Sequence, residues 1–85
     1  MHKLRKLKLL DFIQYLIEEV SLDITAFKLR DDGSAILTIG DDQDIIPVHF
    51  PESYTGIYYI RFRSTIYAKP MDAGLDREWV KLMKV

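Results

Sequence analysis

Between positions 9 and 20 the apolar residues recur with helical period. Leu9, Phe12, Ile13, Leu16, Ile17 and Val20 fall on one face, and Lys8, Asp11, Gln14, Glu18 and Glu19 fall on the other. The helix is expected to start a turn earlier, near Leu4. From residue 23 the pattern shifts toward strands. DITAFKLR is followed by Asp31-Asp32-Gly33-Ser34 and then AILTI. Asp-Gly between two such runs signals a hairpin, because glycine accepts the positive φ of a tight turn. A second turn, Gly40-Asp41-Asp42-Gln43-Asp44, leads into Ile45–Phe50. Pro47 has no N–H to donate, so that strand is expected at an edge or interrupted there.

After a loop at residues 51–56, IYYIRFRSTIY (57–67) reads as one long strand. Its alternation points Tyr58, Ile60, Phe62 and Ile66 one way and Tyr59, Arg61, Arg63, Thr65 and Tyr67 the other. Residues 69–74 form a break. Residues 75–84 fit a short helix, with Leu75, Trp79, Leu82 and Met83 on one face and acids preceding lysines, as the helix dipole favours. The alternative for this end is a fifth strand through Trp79–Val85. The expected fold is α+β: an N-terminal helix packed on a four-stranded antiparallel meander, with the short C-terminal helix completing one core. Residues 1–85 form a single domain, and residues 1–8 are a basic arm or the first turn of the helix.

Composition narrows the class. With 48% hydrophobic residues and 29% charged, the 85-residue chain has the make-up of a small globular domain rather than a disordered one. It has no cysteine, which excludes disulfides, thiolate metal sites and cysteine nucleophiles. The basic start followed by LLDFIQYLI superficially resembles a leader, but Asp11 and Gln14 interrupt it and no small-residue cleavage site follows. No run approaches the roughly 18 apolar residues of a membrane span. The expected setting is the cytoplasm, with no membrane partner.

Charge adds what the net value of −1 conceals. Residues 1–8 hold Lys3, Arg5, Lys6 and Lys8 and no acid. Residues 9–56 hold two bases against ten acids, and residues 57–85 hold six bases against three acids. Such sorting acts on partners and encounter rates more than on fold. The basic arm opposes its own helix dipole at a few tenths of a kcal/mol per charge, so helix stability does not explain it.

Chemistry is sparse. The Asp41, Asp42 and Asp44 cluster lacks the spacing of a calcium loop, and Asp forms turns in its own right. His49 lies near Glu52, and His2 lies in the arm, but neither has a nucleophile or a complete set around it. No G-x-S-x-G, Walker A, G-x-G-x-x-G or H-E-x-x-H occurs. The chain is therefore expected to be no enzyme, with no cofactor, no metal and no small-molecule substrate. In size and composition it resembles short accessory proteins of phages and mobile elements, a likeness that no motif carries.

The expected partner-binding residues are Tyr59, Arg61, Arg63 and Tyr67 on the outward strand face, Lys28 and Arg30 on the first strand, and Lys3, Arg5 and Lys6 in the arm. Phe27 and Leu29 face the core in this reading. Arginine beside tyrosine suits a protein interface or a homodimer. It also suits single-stranded nucleic acid, whose bases stack on rings and whose phosphates meet guanidiniums. The leading expectation is a small protein-interaction module that self-associates and binds or modulates a larger partner, with nucleic-acid binding as the alternative.

Overall fold

The computed structural model describes residues 3–48, 56–70 and 79–84, with side chains from residue 6 onward. Helix α1 spans Lys3–Glu18. Six strands follow: β1 Ile24–Leu29, β2 Ala35–Ile39, β3 Asp42–Ile46, β4 Ile57–Phe62, β5 Thr65–Pro70 and β6 Val80–Lys84. They form two separate three-stranded antiparallel sheets, in the orders β1-β2-β3 and β4-β5-β6. This corrects the expected four-stranded meander with a C-terminal helix.

The first sheet follows its turn chemistry. The loop Asp31-Asp32-Gly33 closes with Arg30 and Ser34 paired through a 2.9 Å backbone hydrogen bond, and Gly33 takes a φ of 95°. The Asp32 carboxylate accepts hydrogen bonds from the Ser34 hydroxyl (2.6 Å) and amide (2.9 Å), which hold it below the ordinary carboxylate range. The next turn is tighter than expected. Ile39 pairs with Asp42, so only Gly40 and Asp41 form the loop, with Gly40 at a φ of 59°. Asp42 and Asp44 are thus strand residues rather than turn residues. β3 ends before Pro47 and lies at the sheet edge, as a residue without an N–H dictates.

The expected long strand over residues 57–67 is broken in the middle. Phe62 pairs with Thr65, and Arg63-Ser64 makes a two-residue hairpin loop with Arg63 at a φ of 57°. The chain folds back on itself there, so the alternation restarts. Tyr58, Ile60 and Phe62 are buried as expected. Tyr67, expected outside, is buried opposite Ile60, and Ile66, expected inside, lies on the other face opposite Arg61. Residues 69–70 continue β5 instead of forming a break. At the C-terminus, residues 80–84 are strand. β6 carries a bulge at Leu82, because Ile66 pairs with Met83 while Tyr67 pairs with Lys81. The extra residue puts Val80 and Met83 on one face three positions apart. Leu75 and the rest of the expected helix before Trp79 lie outside the described residues.

One core joins all three layers. Leu9, Phe12, Ile13 and Leu16 of α1 pack with Ala35, Leu37 and Ile46 of the first sheet and with Tyr58, Ile60, Phe62 and Tyr67 of the second, next to Trp79. The Phe12 ring sits at the centre, 4.9 Å from Tyr67 and 5.0 Å from Trp79 between centroids. Two lysines share this interior. Lys69 is buried and donates to Asp11 of α1 at 2.5 Å, with its ammonium 5.8 Å from the Trp79 ring centroid. Lys8, expected on the polar face of the helix, is buried with its Nζ 3.4 Å from the Pro70 carbonyl. Ile17, expected in the core, is 37% exposed. Phe27 shares the inner face with Leu37 but hangs off the edge at 45% exposure, while Leu29 packs on the core.

Candidate interaction surface

Antiparallel pairing places directly opposed residues on one face, so register alone maps the outer face of the second sheet. Tyr59, Ala68 and Val80 form one row, Arg61, Ile66 and Met83 the next, and Ile57 and Pro70 a third position. The inner face is filled by the core, and this outer face is what remains. Val80 is 57% exposed and Met83 61%, with Tyr59, Ile57 and Ile66 half-buried. Seven of these eight residues are apolar or aromatic. Isolated exposed apolar side chains are ordinary on a protein surface, but a contiguous set across three strands is a feature of interaction surfaces.

The expected partner-binding residues do not come together. Tyr59 and Arg61 stand on this face. Tyr67 is on the inner face against Phe12 and Tyr15. Arg63 sits in the hairpin loop, where its Nε donates to Asp44 of β3 at 2.8 Å and its guanidinium carbon lies 5.0 Å from the Phe62 ring centroid. Lys28 is exposed on the outer face of the first sheet, opposite Ile36. Arg30 lies in the first hairpin loop, 4.0 Å from the Asp32 carboxylate. Lys6 is exposed on α1, far along the chain from either strand face. Lys3 and Arg5 are in α1, with side chains outside the described residues, as are His2, His49 and Glu52. Val80 and Met83 were missed as surface residues because a bulged strand was read as a helix.

A separate feature, a cavity, lies where the sheets meet. Ile39, Asp42, Gln43 and Asp44 of the first sheet and Arg63 of the second line a cavity of about 420 Å³. Its walls are polar and its one guanidinium is already bonded to Asp44. Among the described residues no group of three or more His, Cys, Asp or Glu comes together to hold a metal ion. No described helix is long and apolar enough to cross a membrane.

Comparison with protein-family models, with curated proteins and with solved structures finds no match to this chain.

Proposed function

We propose that this chain is a non-enzymatic protein-interaction module that works through the outer face of its second sheet and associates with copies of itself. The observation that carries this reading is the contiguous row set of Tyr59, Ile66, Val80 and Met83 around a single charge, Arg61. Aromatic and apolar side chains around an arginine are the composition of an interface core. The same face offers one exposed cation and one tyrosine ring, a poor match to a strand of phosphates and bases, which needs several of each.

Light scattering at tens to hundreds of micromolar tests the reading. The expected result is a mass above that of one chain, reduced to one chain by Val80→Lys together with Met83→Lys. A mass of one chain throughout, with a single-stranded oligonucleotide shifted at low ionic strength, would replace this reading with nucleic-acid binding.

A further inference from the structure

We infer that the open edge of β6 takes up an extended acidic segment of a protein partner, which joins the second sheet as an added strand. This stands apart from the self-association proposed above, which uses the outer face of that sheet and not its edge. Among the described residues the two sheets have four edge strands, β1, β3, β4 and β6. β3 and β4 approach each other where Arg63 bonds to Asp44, so neither edge is free along its length. β1 and β6 remain. β1 carries one charge, Lys28, on its outer face. β6 is exposed at all five of its residues, and two of them are lysines.

The bulge at Leu82 sorts these residues by face. In a regular strand, positions three apart point to opposite sides. With one extra residue, Lys81 opposite Tyr67 and Lys84 opposite Thr65 come to the inner side, while Val80 and Met83 come to the outer side. Lys81 and Lys84 thus stand together at the rim of the inner face. Both are exposed, and neither has an acidic partner among the described residues. The described strands of the second sheet contain no acid of their own.

An edge strand offers unpaired N–H and C=O groups to another strand, and the side chains beside it decide which strand is admitted. Here the selection is by sign and by face. A second β6 laid antiparallel on the first would set lysine against lysine, and like charges directly opposed disfavour pairing. The strand that fits has carboxylates on the side of Lys81 and Lys84 and apolar residues on the side of Val80 and Met83. Its apolar side chains extend the rows Tyr59–Ala68–Val80 and Arg61–Ile66–Met83 by one strand. A nucleic-acid backbone matches the two ammoniums but not the edge, because phosphate oxygens accept hydrogen bonds and leave the β6 carbonyls unmatched. The bulge keeps the regular part of the edge short, so the added strand is short and weakly held.

Titration of the isotope-labelled full chain with capped peptides of five residues, the length of β6, tests this by nuclear magnetic resonance. One peptide alternates glutamate with valine, and its controls alternate glutamine or lysine with valine. The expected result is that the acidic peptide alone moves the amide signals of Val80–Lys84, with affinity falling several-fold as salt is raised from about 50 to about 500 mM. The same acidic peptide with a methylated backbone keeps its charge, loses its donors and does not bind. Lys81→Glu with Lys84→Glu reverses the choice, so that the basic peptide binds and the acidic one does not. Both positions are exposed, and far-UV circular dichroism checks that the variant keeps its strands. Equal binding of the methylated peptide would show charge attraction without strand addition and overturn the inference. So would binding of the neutral peptide as tightly as the acidic one, or no binding of the acidic peptide. A single-stranded oligonucleotide that moves the β6 signals where the acidic peptide does not would assign this edge to phosphates instead. A single-chain mass for the protein leaves the inference standing, since it concerns the edge and not the outer face.

Discussion

Ser21 and Arg63 are the two non-glycine residues with positive φ among the described ones, at 62° and 57°. Each occupies a place where the chain must reverse. Ser21 follows the end of α1, where Val20 donates to the Tyr15 carbonyl at 3.3 Å and Leu22 to the Leu16 carbonyl at 3.0 Å. Those bonds satisfy carbonyls that a helix end leaves without partners, and they require a left-handed residue to complete the bend. A side chain at such a φ is strained, and glycine is not. Ser21→Gly is therefore expected to raise stability by about 0.5–1 kcal/mol, read as a higher denaturant midpoint. A lower midpoint would mean that the serine side chain holds a contact outweighing the strain. The same strain explains why the second hairpin was hidden. Asp31-Asp32-Gly33 advertises its turn in the sequence, whereas Arg63-Ser64 contains neither glycine nor asparagine, and the polar–apolar alternation runs straight through it.

Among the elements, α1 and the first hairpin were legible because periodicity and turn residues agreed there. β6 stood only as the alternative reading, since Trp79, Leu82 and Met83 also fit helical spacing. The burial of Lys8 and Lys69 was not legible, because a long aliphatic stem lets a lysine line apolar surroundings while its ammonium finds a distant partner. The partner of Lys69, Asp11, lies in another element and has no local signal. Of the candidate site, Tyr59 and Arg61 were found from alternation, and Tyr67 was misplaced by the undetected reversal. The Lys69–Asp11 pair fixes how α1 lies across β5. Removing one member leaves a buried charge with no counterion, so Asp11→Ala is expected to destabilise the fold by about 3–5 kcal/mol. Asp11→Leu combined with Lys69→Met removes both charges and is expected to restore most of that loss. Denaturant titration of the single and double variants checks both outcomes, and additive losses would show that the two residues do not act as a pair.

At the scale of the whole molecule, two sheets without a shared strand pair are held as one by the core around Phe12 and by the Arg63–Asp44 contact. The exposed ion pair is worth at most about 1 kcal/mol, so the core dominates. Phe12→Ala is expected to cost about 3–5 kcal/mol. Both sheets should weaken together, because Phe12 packs in the same cluster as Leu37 and Tyr67. Trp79 fluorescence follows the second sheet and amide exchange at Leu37 follows the first. Equal losses in the two would show one cooperative unit, and different losses would show sheets that open separately.

The bond between Asp11 and Lys69 spans 58 residues, and it bears on how this protein is made. During synthesis the helix and the first sheet are made before β4, β5 and Trp79. The half-made chain has Phe12, Leu37 and Ile46 without the aromatic residues that cover them. Contacts of such long range form slowly and late. Until the second sheet joins it, the nascent chain carries bare apolar surface that chaperones would shield and neighbouring chains could capture. The second sheet is thus a folding requirement for the helix and the first sheet.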